Sequence, residues 1–163
     1  MMTEELKTLE PPKQPESPTT DALQVKGHVM MELRGPDGEL KETQEIKNLV
    51  VTVGLALAAT ALGTGTITTI GYMAVGTSST PAALGDTTLG TELARVALTS
   101  TAVASVVITY VAGFGAGTGT GALVEAGLFN GTPAGTMLSR VVFAVVNKGA
   151  GDSLTITWTI TLG

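Results

Sequence analysis

The chain has 163 residues, no cysteine and a formal net charge of −5 at pH 7. The lack of cysteine excludes disulfides and thiolate metal sites, and the lack of any Lys/Arg cluster argues against a nucleic-acid-binding surface. Residues 1–48 hold 16 charged side chains, whereas residues 49–163 hold only 7. About a quarter of the residues of a soluble domain are normally charged. We therefore expect the second part of the chain to hide much of its surface against copies of itself or a partner.

Residues 1–22 are predicted to form a flexible, Pro-rich N-terminal arm. The segment is polar and contains too little apolar surface to offset the entropy of ordering it. Its acidic start has no apolar core, so we expect no signal peptide. It is either a tail without a role or an arm that becomes ordered on a neighbouring subunit. In the second interpretation the contact residues are Leu6, Leu9, Pro11, Pro12, Pro15 and Pro18.

Residues 23–163 are predicted to form a single β-rich domain that begins with a hairpin over Leu23–Leu49. In its first strand, apolar and polar side chains alternate with a period of two, which is typical of a half-buried strand. Gly35-Pro36-Asp37-Gly38 then supplies the residues of a turn. The second strand is predicted over Leu40–Lys47.

The segment Val50–Leu62 is the best candidate for a helix. Its repeat of Val51, Leu55, Ala58 and Leu62 has helical spacing. We expect Thr52 to cap its start and Gly63 to lie just past its end. The apolar stretch is too short to cross a membrane, so no membrane segment is expected.

The remainder of the chain is predicted to be strands joined by turns, including a long loop over Gly76–Gly90. The strands are expected at Thr69–Val75, Leu93–Thr99, Val103–Ala112, Ala122–Phe129, Met137–Val146 and Leu154–Leu162. In the last of these, apolar residues alternate strictly with threonine. This pattern predicts a mainly β protein: an antiparallel β-sandwich or barrel with one short helix and an extended N-terminal arm.

One of these strands, Val103–Ala112, has apolar residues on both faces. Such a strand must be covered on both sides, in an antiparallel protein often by another subunit. Val107 and Tyr110 are therefore candidate contact residues. So are Glu92 and Arg95, which are predicted to pair across a helical turn, and Arg140, which lies in an apolar strand and needs a partner.

The sequence contains few candidate catalytic residues. His28 is the only histidine and falls on the polar face of a predicted strand, which leaves no base for a nucleophile triad. The carboxylates of residues 49–163 are widely spaced and follow no calcium-loop pattern. A small hydrolase would need paired carboxylates, and no convincing pair is evident. We expect no enzymatic activity, no cofactor and no metal.

A series of short motifs resembles small virion structural proteins of tailed bacteriophages. It starts with Asn48-Leu49-Val50-Val51 before the predicted helix and continues with Ile70-Gly71-Tyr72-Met73-Ala74-Val75-Gly76-Thr77. Pro81, Asp86-Thr87-Thr88-Leu89 and Glu92-Leu93-Ala94-Arg95 follow. The resemblance covers residues 48–95, and the single Gly76 departs from the Gly-x-Gly form found in such proteins.

An arm followed by a compact β body is similar to the trimeric decoration, or cement, proteins of phage capsids. The resemblance implies a homo-oligomer, most simply a trimer, made in the cytoplasm of the bacterial host. It would bind the major capsid protein on the exterior of the shell and stabilise it, with the arm contacting neighbouring subunits. Sequences of this kind also occur in tails, so a tail fibre or tail-tip structural or receptor-binding protein is the alternative.

Overall fold

The computed structural model of the chain describes residues 24–65 and 68–163. The predicted arm, residues 1–22, lies outside this part. The fold is mainly β and antiparallel with one short helix, as predicted. The elements are β1 (Val25–Arg34), β2 (Leu40–Val50), α1 (Thr52–Thr64), β3 (Tyr72–Gly76), β4 (Glu92–Ala97), β5 (Ser100–Ala104), β6 (Val107–Phe114), β7 (Gly121–Phe129), β8 (Met137–Lys148) and β9 (Ser153–Leu162).

The nine strands form one curled sheet, a half-barrel, in the order β4-β3-β7-β8-β2-β1-β9-β6-β5. The two outermost strands, β4 and β5, are consecutive in the chain and are joined by only Leu98 and Thr99. Since so short a link connects the two ends of the order, the sheet must curl back on itself. Strand β2 forms a corner, because its last two residues, Leu49 and Val50, pair with β8 while the rest of the strand pairs with β1.

The predicted hairpin is confirmed. Strands β1 and β2 are antiparallel, with His28 opposite Lys47. Val29, Met31 and Leu33 are buried, and Gly38 adopts a φ of 84° in the turn, which glycine accepts without a steric cost. The second strand runs three residues beyond its predicted end.

Helix α1 is present, but both predicted boundary roles are wrong. Thr52 is its first helical residue, and the preceding Val51 makes no side-chain cap. The helix ends at Thr64 and is followed by Gly65, which caps it in the left-handed conformation with φ 69°, so Gly63 lies within the helix. The helix packs against β8 through Gly54, where a Cβ atom would lie 2.2 Å from the carbonyl oxygen of Leu138.

The predicted strand Val103–Ala112 is wrong as a single element. The chain turns at Ser105, which has a φ of 55°, and divides the segment into the hairpin β5–β6. In β6 the side chains alternate: Tyr110 is buried, whereas Val107 and Val111 are half-buried on the outer face. Strand β5 is exposed along its whole length.

The core lies inside the curl of the sheet, and β9 supplies its centre. Leu154, Ile156, Trp158 and Ile160 are buried there, and the alternating threonines are half-buried on the outer face. This confirms the predicted alternation. Full burial of each large apolar side chain contributes about 1.5–3 kcal/mol relative to exposure, so this strand is a main source of stability.

Candidate interaction surface

The few charged side chains of residues 49–163 are turned largely toward the protein rather than toward solvent. Four of the seven residues are buried: Glu125, Arg140, Lys148 and Asp152. The side chains of Arg95, Asp86 and Glu92 are 8%, 23% and 32% exposed, respectively. The exterior formed by residues 49–163 is therefore even poorer in charge than the composition indicates.

Arg140 is the centre of a buried ionic cluster. Its Nη1 donates to Asp86 Oδ2 at 2.7 Å, and its Nε and Nη2 donate to Glu125 Oε2 at 3.1 and 2.8 Å. The carbonyl oxygens of Thr80 and Pro81 accept further bonds at 3.0 and 3.4 Å. The partner that the sequence required for Arg140 thus comes from the protein's own loop and sheet.

The Glu125 carboxylate joins this cluster to the long loop before β4. The backbone amides of Ser78, Gly90 and Thr91 donate to it at 3.1, 2.9 and 2.8 Å. Burial alone would raise the pKa of Glu125, but these amides and Arg140 hold the pKa below its ordinary value. The cluster therefore fastens the loop over residues 77–91 to the sheet.

Asp86 is held in the same way from within the loop. Burial opposes its ionisation, but the Ala83 amide, which donates at 2.9 Å, and the Arg140 guanidinium lower the pKa of the carboxyl. Residues 24–65 and 68–163 contain no group of three or more His, Cys, Asp or Glu side chains that could hold a metal ion. Both carboxylate oxygens of Glu125 and Oδ2 of Asp86 already accept hydrogen bonds, so the cluster holds the loop in place.

The predicted Glu92–Arg95 pair is present, but it is not built on a helical turn. Both residues lie in β4, where the register shifts between Val75 and Gly76 of β3 and brings side chains three apart to the same side. The guanidinium donates to both carboxylate oxygens, at 2.9 and 2.6 Å, and lies 3.7 Å from the centroid of the Phe129 ring.

Two of the predicted contact residues lie in the interior, which corrects their assignment to a subunit surface. Arg140 is enclosed by the ionic cluster, and Tyr110 is buried on the inner face of β6, where burial raises the pKa of its hydroxyl. Val107 stays on the outer face. The arm residues Leu6, Leu9, Pro11, Pro12, Pro15 and Pro18 lie outside the described part of the chain, and their role stays a prediction.

One side of the protein forms an uncharged flank, made by α1, β5, β6, β9 and the turn between β5 and β6, none of which contains a charged residue. It exposes large apolar side chains: Leu62 is 82% and Val103 is 70% exposed, and Leu55 and Val106 are also exposed. A helix that is apolar all round is normally buried. Several such side chains on one uncharged surface make it a candidate interaction site.

A groove lies within this flank, between α1 and the end of the sheet where β1 begins and β9 ends. Its volume is about 370 Å³, and none of the described side chains that line it is charged. Its lining includes Leu55, Ala58 and Ala61 of α1, Val103 of β5, and Val25 and Leu162 from the two ends of the β domain. We call it the α1–β5 groove.

The β1–β2 hairpin has the opposite character. Its outward side chains include Lys26, His28, Glu32 and Arg34, and His28 lies 3.7 Å from the carboxylate of Glu45 at the surface. The charge of the domain is thus concentrated on one hairpin.

Sequence reasoning missed the groove and the exposure of α1, because spacing alone does not say which side of a helix packs. The available signal was the apolar character of α1 all round its axis. Comparisons with protein-family models, curated proteins and solved structures find no match for this chain. Within the described ranges, no helix is long and apolar enough to span a bilayer.

Proposed function

We propose that this protein is a non-enzymatic structural component of a tailed-phage virion that binds the outer surface of the capsid as a trimer and stabilises the shell. The observation that carries this proposal is the nearly charge-free exterior of residues 49–163, together with the exposed apolar side chains of the uncharged flank. The resemblance of residues 48–95 to phage virion proteins is the reason for placing the protein in a virion.

Self-association is the physical consequence of such an exterior. At ~25 cal/mol per Å² of apolar area, burying roughly 400 Å² contributes about 10 kcal/mol before the costs of association are subtracted. A closed cyclic oligomer hides these surfaces without open-ended growth. The charged β1–β2 hairpin of each copy then keeps the assembly soluble.

Stabilisation of the shell follows from mass action. A protein that binds the assembled capsid, and not its separate subunits, shifts the equilibrium toward the assembled state. Binding to the major capsid protein needs neither a cofactor nor a nucleic acid. The N-terminal arm would add contacts to neighbouring subunits.

Charged substitutions on the uncharged flank test the assembly step. Leu62→Glu and Val106→Glu place a charge at exposed positions, so each domain should still fold while the oligomer dissociates. Leu40→Glu is the matched control, because Leu40 is also exposed but lies on the charged hairpin. Analytical ultracentrifugation should show single subunits for the first two variants and oligomers for the control. An unmodified protein that sediments as a single subunit at high concentration would overturn the proposal.

The location in the virion is tested by counting copies per particle. A decoration protein should be present in hundreds of copies distributed over the shell. The motifs of residues 48–95 resemble tail proteins as well, so a tail-fibre or tail-tip protein is the second candidate, and it would be present in a few copies at one end. Quantitative mass spectrometry and electron microscopy of purified particles distinguish the two, and absence from the particles contradicts both.

A further inference from the structure

The α1–β5 groove has the shape and chemistry of a receptor for a short apolar segment. On α1 it extends from Leu55 to Ala61, which at 1.5 Å per residue is about 9 Å of helix. On the opposite side are Val103 of β5 and Ile108 of β6. Such a groove favours apolar side chains over charged ones, because its described lining offers no counter-charge.

The N-terminal arm leaves the domain at this groove. Strand β1 begins at Val25, and Val25 itself lines the groove. Gly163 donates from its backbone to the carbonyl oxygen of Gln24 at 2.8 Å, which holds the start of the domain at the end of β9. The described part of the chain therefore begins at the rim of the apolar groove.

The arm carries a pair of leucines whose spacing matches the groove. Leu6 and Leu9 are three residues apart. In an extended polyproline-type chain, which has three residues per turn, this spacing would place both side chains on the same edge. Their spacing along such a chain is about 9 Å, which equals the length of α1 along the groove. The charged neighbours of this pair would stay on the solvent side.

The length of the arm would allow the leucine pair to reach another copy. Four prolines between residues 11 and 18 favour an extended chain. At ~3.1 Å per residue, the 16 residues from Leu9 to Val25 span roughly 50 Å. A domain of 140 residues has a radius of gyration of about 14 Å and so a diameter of about 40 Å. A fully extended arm would therefore be long enough to carry Leu9 beyond its own domain.

We propose that the α1–β5 groove of each protomer receives the Leu6 and Leu9 side chains of a neighbouring copy's arm. This inference rests on the self-association in the proposed function and names its receiving site. It makes the arm an exchanged element that ties one copy to the next.

Cysteine crosslinking between full-length chains tests the exchange, because the chain has no cysteine of its own. One chain carries Leu9→Cys and the other carries Ala58→Cys in the groove, and the two are mixed and mildly oxidised. We expect a disulfide-linked heterodimer. The matched control replaces Ala58→Cys with Leu40→Cys, an exposed position at the far end of β2 from the groove-lining Val50. Leu6→Ser, added to the Leu9→Cys chain, should reduce the crosslinking rate about tenfold or more.

The outcomes separate this inference from the proposed function. An oligomer that crosslinks through Ala58→Cys no faster than through Leu40→Cys overturns the exchange but leaves self-association intact. Crosslinking found only within a chain that carries both cysteines also overturns it, because the arm then folds onto its own groove. A chain that stays a single subunit in the ultracentrifuge overturns the proposed assembly and the exchange together.

Discussion

Replacing Glu125 by glutamine tests whether the buried ionic cluster holds the long loop to the sheet. The carboxylate accepts five hydrogen bonds, three from the amides of Ser78, Gly90 and Thr91 and two from Arg140. Glutamine keeps the shape of the side chain but has only one acceptor oxygen. Whichever way its amide is turned, at least two donors lose their acceptor.

The expected cost is large because Arg140 also loses one of its two counter-charges in the interior. Removing one partner of a buried ion pair costs about 3–5 kcal/mol, against a total stability of about 5–15 kcal/mol for a typical domain. Urea unfolding at pH 7 measures this loss; the protein concentration is held fixed, since the proposed self-association would make stability depend on concentration. Glu45→Gln is the matched control: Glu45 is exposed, and the change should cost less than about 0.5 kcal/mol.

Glu125→Gln should also change how the stability of the protein depends on pH in the acid range. The pKa of Glu125 is lower in the folded protein than its ordinary value of 4.5, so its contribution is fully present above that pH and is lost as the pH falls through the folded pKa. The wild-type protein should therefore lose stability below about pH 4.5, and Glu125→Gln should lose less over that window. If Glu125→Gln costs no more than Glu45→Gln and leaves the acid profile unchanged, the cluster does not hold the loop.

Two further pairs of substitutions test local packing. Gly54→Ala should destabilise the protein in urea unfolding, although alanine is the better helix former by about 1 kcal/mol, because the new Cβ would meet the Leu138 backbone. Gly63→Ala is the control in the same helix: its new Cβ meets nothing within 4 Å, so the change should stabilise the protein by up to about 1 kcal/mol. If both substitutions stabilise the protein, or both destabilise it, α1 does not approach β8 as closely as described. Arg95→Lys should lower the free energy of unfolding by about 1–2 kcal/mol, because lysine cannot form the bidentate pair with Glu92 or the guanidinium contact with the Phe129 ring. Arg34→Lys at the surface is the control and should be nearly neutral in the same assay. Equal losses in the two variants would contradict this account of Arg95.

Local patterns in the sequence were enough to predict several elements. The alternation of β9 and of β1 identifies strands and their inner faces, because side chains of a strand alternate between its two sides. The turn at Gly35–Gly38 was equally visible. The distribution of charge along the chain is also a property of sequence alone, and it predicts the low charge on the exterior formed by residues 49–163.

The residues that sequence reasoning placed incorrectly depend on contacts between distant segments. Arg140 was expected at a subunit surface, yet its partners Glu125 and Asp86, 15 and 54 residues away in the chain, enclose it. Ser105 breaks an apolar run that reads as one strand, because an uncommon positive φ lets the chain turn there.

By itself, the sequence determined that the protein is mainly β, that charge is concentrated in its first third, and where most strands run. The tertiary structure decided which charges are hidden, which side of α1 packs on β8, and that a groove opens where the arm begins. The physical reason is that strand patterns come from neighbouring residues, whereas burial depends on the curl and order of the sheet, which bring together residues far apart in the chain.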